Sequence, residues 1–180
     1  NFENGGDDFI ERLQNTLQRY GIDPCYIEIE VTESVIVEKL DSLKACLTRL
    51  GKLGYRIAID DFGTGYSSLS VLLEIPANVV KIDKSFTDKI HQNGQSAFVY
   101  QMGQFIQSAK EEVIFEGIEE EQQRTFLMEC GFNYGQGYYF DRPLPWRSLK
   151  KSISDQGQTE HDKCRLHTFS YSLKPLQSTN

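Results

Sequence analysis

Five short β-rich segments recur along the chain: IEIEVTE (Ile27 to Glu33), YRIAIDDF (Tyr55 to Phe62), VVKID (Val79 to Asp83), EVIFEGI (Glu112 to Ile118) and YGQGYYF (Tyr134 to Phe140). Between them lie stretches with the apolar spacing of helices. Phe9, Ile10, Leu13 and Leu17 trace one stripe ahead of Gly21. Leu40, Leu43, Leu47 and Leu50 trace another, ended by Gly51 and Gly54, and further helices are predicted over roughly 97–109 and 120–130. Strands that alternate with helices of this length build parallel βαβ units, because a parallel return needs a crossover. The α/β class follows, as either an open doubly wound sheet or part of a (β/α) barrel. Beyond Pro143-Leu144-Pro145 the pattern weakens. The domain is therefore expected over 1–146, with a short helix near 146–153 and a polar, mobile tail filling the rest of 147–180.

The chain has 180 residues, enough for one domain and its core. Nineteen basic against 26 acidic residues leave a net charge of −7, which argues against broad adhesion to a nucleic-acid polymer unless metal ions carry the positive charge. No apolar run reaches the roughly 18 residues of a membrane span, and the N-terminus lacks the order of a signal peptide, so a cytoplasmic segment without membrane contact is expected. The chain begins with Asn1, so a longer protein is compatible with a membrane anchor elsewhere. Cys25, Cys46, Cys130 and Cys164 are widely separated and read as reduced thiols, and His91, His161 and His167 show no zinc-ligand spacing with them.

Strand parity places chemistry. Successive side chains point to opposite faces, so Ile27, Ile29 and Val31 share one face while Glu28, Glu30 and Thr32 share the other. By the same rule Asp60 opposes Ile57 and Ile59, and Lys81 opposes Val80 and Ile82. If the apolar phase meets the helices, Glu30, Asp60 and Lys81 point inward. Glu116 and Gln136 sit near the ends of the fourth and fifth segments. All five lie toward the C-terminal ends of their strands, where α/β folds build their sites. Carboxylates converging on one rim repel unless cations sit among them, and hard oxygen donors without His or Cys point to Mg²⁺ or Mn²⁺. The adjacent Asp60 and Asp61 offer one bridging and one single ligand, as two-metal phosphodiester hydrolysis requires. Gly63-Thr64-Gly65 lets the following loop turn sharply beside them, and Lys81 supplies a cation to orient water or steady a phosphate oxygen.

The ordered elements EVTES, DDFGTGYSSL, VKIDKSF, FEGIEEEQQ and GQGYYFDRPLP resemble the EAL domain, the bacterial cyclic di-GMP phosphodiesterase family, over roughly residues 9–146. The resemblance implies a (β/α)8 TIM-barrel-like fold that cleaves cyclic di-GMP to linear pGpG with two Mg²⁺ or Mn²⁺ ions. It also implies roles residue by residue. Glu30 and Asp60 match ligands of the first ion, and Asp60 bridges to the second, which Asp61 and Glu116 help to hold. Lys81 matches the lysine near the attacking water, Glu119 the second acid of the EGxE element, and Gln136 the glutamine of the QGY element. Glu33 matches the glutamate that pins the loop beginning at Phe62, Gly63, Thr64 and Gly65, a loop the family associates with dimerisation and signal transmission.

The chain also departs from that pattern. Family members open on a strand bearing a Glu-Ala-Leu signature and soon carry an asparagine in a strand like Val-Asn-Val-Ser; this chain starts beyond both. About five of eight βα units are therefore expected, and a complete barrel takes about 250 residues. An incomplete barrel exposes strand edges, so a partner, an upstream sensory domain or a complementing segment is implied. Phe115, where a small residue usually precedes the EGxE element, is expected to crowd the second ion. Two expectations follow: the C-terminal part of a working phosphodiesterase whose isolated activity is very low, or a degenerate module that binds cyclic di-GMP or a protein partner without catalysis.

Overall fold

The computed structural model describes residues 2–65, 69–91, 94–110, 112–143 and 171–172, with side chains for all of these except 2–7, 69–71 and 171–172. Its elements run α1 (Phe2–Tyr20), a 3-10 turn (Pro24–Tyr26), β1 (Glu28–Thr32), α2 (Glu33–Glu38), α3 (Leu40–Lys52), β2 (Arg56–Phe62), α4 (Leu69–Glu74) and β3 (Val79–Ile82). They continue with α5 (Lys84–Thr87), α6 (Ser96–Ala109), β4 (Glu112–Phe115), α7 (Glu121–Glu129), β5 (Tyr134–Gly135) and β6 (Tyr171–Ser172).

The strands pair in the order β1-β2-β3-β4-β5-β6, parallel from β1 to β5 and antiparallel between β5 and β6. A doubly wound sheet reverses its strand order at a switch point. This one advances strand by strand in one direction, the progression of a barrel. Register aligns Glu28 with Arg56, Thr32 with Asp60 and Lys81 with Ile114, so the acidic strand ends arrive at a common level.

Three short helices, α2, α4 and α5, were not predicted, because runs of 6, 6 and 4 residues are too short to display a helical period. The fourth strand pairs only to Phe115, after which Gly117 turns the chain at φ +68. The fifth segment pairs only over Tyr134–Gly135; beyond Gln136 it turns back, with the Phe140 N–H donating to the Gly137 carbonyl at 3.1 Å. Tyr171 and Ser172 add an antiparallel strand where a mobile tail is expected; the helix near 146–153 and the rest of that segment lie outside the described residues.

Parity holds through the core. Ile57, Ile59, Val80, Ile82, Val113 and Phe115 face outward into one cluster with Ile10, Leu43, Leu47, Leu50, Ile106 and Leu127 from the helices. Inside, Ala58, Val79 and Ile114 form a separate small cluster against Tyr134. Below it Arg56 lies 3.4 Å from Glu28 and 3.1 Å from Glu112. Burial pushes the Glu28 carboxyl above its ordinary range, and the Arg56 guanidinium opposes the shift. Arg56→Met leaves that carboxylate facing Glu112 with no counter-charge, and the expected loss is about 2 kcal/mol at pH 7 in urea unfolding. A carboxyl with a raised folded pKa loses stability as pH rises through its unfolded value. The deficit therefore shrinks toward pH 4, where Glu28 takes up a proton; a deficit constant with pH would exclude this cause.

Among the described residues no helix is long and apolar enough to cross a membrane, and Cys25, Cys46 and Cys130 are not joined in disulfides. Cys164 lies outside the described residues.

Candidate active site

Lys81 rises from β3 with its side chain 7% exposed, and its three ammonium protons match three carboxylates. Nζ lies 3.0 Å from Glu30 Oε1, 2.9 Å from Asp60 Oδ1 and 2.9 Å from Glu116 Oε1. These acids come from the ends of β1 and β2 and the residue following β4. Three strands' worth of inward parity is thus closed around one cation. Burial pulls the Lys81 pKa down, but hydrogen bonds to Asp60, Glu116 and Glu30 outweigh it and hold the ammonium well above the ordinary lysine value.

A second grouping overlaps the first. Asp60, Asp61 and Glu116 each offer a carboxylate oxygen, and these atoms lie within 4.8 Å of one another. Burial pushes the Asp61 carboxyl up, aided by the charges of Asp60 and Asp83 and opposed by Lys81. Burial likewise raises Glu116, with Lys81 opposing and Asp60 and Asp61 adding to the shift. Four carboxylates thus share one ammonium, and two of them resist ionisation. The donor set is all oxygen, close-spaced and under-neutralised, which fits a divalent hard cation. Asp61 also sits at φ +54, a left-handed backbone that a non-glycine residue keeps only where its surroundings enforce it. Neighbouring side chains of a regular strand point to opposite faces, whereas here Asp60 and Asp61 offer carboxylate oxygens within 4.8 Å of each other.

Behind Asp61 the chain turns at Gly63, φ +97, with the Phe86 ring so close that any side chain at 63 would collide. Thr64 bonds back to the Asp61 carbonyl through its hydroxyl at 2.9 Å, and Phe62 is buried. Glu33 opens α2 rather than ending β1. It is only 1% exposed, and its Oε2 accepts the Gly63 N–H while Oε1 faces Gly65. The two ends of the loop turn are therefore set against one buried carboxylate.

The remaining sequence candidates are placed differently. The Glu119 carboxylate lies 3.3 Å from Lys84 Nζ, which also holds Asp88 at 2.7 Å, so Glu119 pairs with Lys84 rather than Lys81. Gln136 is placed by its main chain, donating to the Phe115 carbonyl at 2.8 Å and accepting from Ile118 N–H at 3.0 Å. Phe115 does not crowd the carboxylates: it faces outward, fully buried, with its ring 4.8 Å from that of Phe132. Parity explains the correction, because Phe115 is one residue out of phase with Glu116. Lys84 and Gln123 were not singled out in the sequence; Gln at the third position of a helix was the available signal for the second. A groove of about 520 Å³ lies along β1, lined by Phe9, Ile29, Val31, Val35, Leu43 and Leu47 among others.

A parallel sheet wound in one direction, with acids gathered around one lysine at its C-terminal rim, is the frame of a TIM-barrel-like α/β domain. The EAL domain family model matches residues 2–143, and the chain belongs to that family. Signaling protein YkoW of Bacillus subtilis is 40% identical over 152 residues, 83% of this chain and 19% of that protein. The bifunctional diguanylate cyclase/cyclic di-GMP phosphodiesterase MucR of Pseudomonas aeruginosa is 35% identical over 146 residues, 81% of this chain and 21% of the relative. The MucR phosphodiesterase structure in complex with c-di-GMP has a TM-score of 0.74 at 35% identity, over 82% of this chain and 60% of that one. Klebsiella pneumoniae BlrP1, solved with manganese and cyclic di-GMP, has a TM-score of 0.69 at 31% identity, over 75% of this chain and 35% of that one. The chain thus spans about a fifth of the length of the curated relatives.

Proposed function

We propose that this chain is the C-terminal part of an EAL-type phosphodiesterase that hydrolyses cyclic di-GMP to linear pGpG. The convergence of Glu30, Asp60 and Glu116 on Lys81, with Asp61 beside them, carries the reading. MucR and BlrP1, both solved with this dinucleotide, supply the substrate class. Glu30 and Asp60 would hold one divalent ion, with Asp60 bridging to a second held by Asp61 and Glu116. Mg²⁺ and Mn²⁺ both suit these donors. Bound there, such ions supply Lewis acidity that activates water and offsets phosphodiester charge.

The chain's own residues do the rest. Lys81 stays protonated, so whenever a carboxylate swings away it presents an N–H to a water or phosphate oxygen. Glu119 and Gln136 are assigned catalytic roles at the same rim, a reading supported for Gln136 by its main-chain bonds to Phe115 and Ile118 on either side of Glu116. The loop at Phe62, Gly63, Thr64 and Gly65, tied to Glu33, is assigned a regulatory role and a homodimer contact. An upstream sensory domain and a cytoplasmic setting complete the proposal; relatives roughly four times this chain's length leave room for the former.

One observation favours a second reading. Among the described residues β1 is hydrogen-bonded to a strand on one side only, and the apolar groove runs beside it, so the chain alone is a weak enzyme or a binding module that needs further strands. The test is cyclic di-GMP hydrolysis with Mn²⁺ by this chain and by one extended N-terminally with the Glu-Ala-Leu and asparagine strands. The extended chain is expected to be faster by about 100-fold or more, because an ill-held reacting geometry costs that much. Equal rates would remove the need for more strands. Intact dinucleotide binding without turnover by the extended chain would leave the non-catalytic module.

A further inference from the structure

The loop that follows Glu116 is anchored from an unexpected direction. The Gln123 side chain is 7% exposed and makes three hydrogen bonds. Its Oε1 accepts the backbone N–H groups of Glu119 at 2.9 Å and Glu120 at 3.0 Å, and its Nε2 donates to the Thr87 carbonyl at 3.3 Å. The first two bonds are what a helix start needs, and alone they make Gln123 an ordinary cap of α7. The third is not a capping bond. Thr87 ends α5, the short helix that begins three residues after Lys81.

A second side chain spans the same gap. Lys84, at the start of α5, lays its stem so closely over Gly117 that no side chain fits there, and it ends 3.3 Å from the Glu119 carboxylate. Gly117 itself is at φ +68. The segment from Glu116 to Glu120 is thereby clamped to α5 at both ends, through Gly117 and through Glu119 and Glu120.

We propose that Gln123 is a positioning residue for the carboxylate cluster: by tying the β4–α7 loop to α5, it sets Glu116 against Lys81 and Asp60. The mechanical logic is short. Lys81 and α5 leave one strand, Glu116 and the loop leave its neighbour, and Gln123 joins the two beyond the sheet. The Glu116 N–H bonds to the Ile82 carbonyl at 3.0 Å, and on the β5 side the Ile118 N–H donates to the Gln136 carbonyl at 3.0 Å; toward α5 the loop beyond Glu116 is held by the Gln123 and Lys84 side chains. Fixing a carboxylate that binds a cation needs support of this kind outside the contact itself. Gln123 touches neither substrate nor ion, and acts through Glu116.

The inference rests on Glu116 being a metal-holding carboxylate, and Mn²⁺ binding tests it without recourse to turnover. Two variants divide the roles. Gln123→Glu keeps the acceptor that caps α7 and places an acid favoured at a helix start, while replacing the donor to Thr87 with a carboxyl. Gln123→Met keeps volume and removes all three bonds. In Mn²⁺ titration calorimetry on this chain at pH 8, Gln123→Glu is expected to bind about tenfold more weakly, with a thermal midpoint above that of Gln123→Met because the cap is kept. Gln123→Met is expected to lose both affinity and midpoint. Wild-type affinity in Gln123→Glu overturns the positioning role and leaves a cap. No Mn²⁺ binding by the unsubstituted chain overturns the metal reading of Glu116 and this inference with it.

Discussion

Asp60→Asn is expected to lower cyclic di-GMP turnover by the N-terminally extended protein about 1,000-fold or more, with Mn²⁺ affinity falling in parallel. Asp60, like Glu116, belongs to both groupings, and it is the carboxylate assigned to bridge them: it touches Lys81 at 2.9 Å and offers an oxygen to the set with Asp61 and Glu116. An amide there still accepts a hydrogen bond from Lys81. It carries no charge, and it cannot bridge two cations. A thousandfold loss corresponds to about 4 kcal/mol of transition-state stabilisation, within what charge neutralisation at a phosphodiester supplies. The substitution also has a pH signature. The Asp60 charge helps to push Asp61 and Glu116 upward, so its removal moves both back toward the ordinary carboxylate range. In the unsubstituted chain protons compete with Mn²⁺ just above that range, and residual Mn²⁺ binding in Asp60→Asn should persist to lower pH. Chromatography of pGpG and Mn²⁺ titration between pH 5 and 8 measure both effects; turnover within tenfold of the unsubstituted protein would remove Asp60 from the chemistry.

Much of this site was legible in the strands and little of it in the loops, and the reason is geometric. A strand has period two, so a single apolar phase fixes where every polar residue on it must point. That is why Glu30, Asp60 and Lys81 could be placed on one face from Ile29, Ile59 and Val80 alone, and why they meet within 3.0 Å. The same rule, applied one residue further, places Phe115 outside the site, which the expectation of crowding overlooked. Beyond the last paired residue parity lapses. Glu119 stands three residues past Glu116, yet φ +68 at Gly117 sends it to Lys84. Gln136 is two residues into a segment expected to be a strand, and the chain turns immediately after it. Glu33 continues an alternating run in sequence, but it opens a six-residue helix whose period is too short to read. Parity left the choice between doubly wound sheet and barrel open as well, because both place strand ends alike. Strand order settles it, and order is a property of tertiary pairing that no local pattern encodes.

Lys81→Met gives the largest expected effect on stability, about 3 kcal/mol lost at pH 7 without metal, read from urea unfolding. Methionine matches the length of the stem, so packing changes little. What changes is that Glu30, Asp60 and Glu116 face one another with no cation. The sign with pH is fixed by the direction of the shifts. Lys81 is held above its ordinary value, so its contribution is complete below that value and is lost only as pH rises through the raised one. At pH 7 the unsubstituted chain has all of it and the variant none. Below about pH 5 the variant recovers, because Glu116 already resists ionisation and takes up a proton first. Divalent ions provide the second recovery. A ligand at 100 times its Kd stabilises the folded state by about 2.7 kcal/mol, close to the expected loss. In the unsubstituted chain an incoming ion must compete with an ammonium already bound to three carboxylates; in the variant it meets them free. Mn²⁺ should therefore stabilise Lys81→Met more than the unsubstituted chain, even though the variant lacks the N–H that orients water and phosphate. A variant as stable as the unsubstituted chain, or one that Mn²⁺ leaves unchanged, would mean that the cluster is held by the fold rather than by charge.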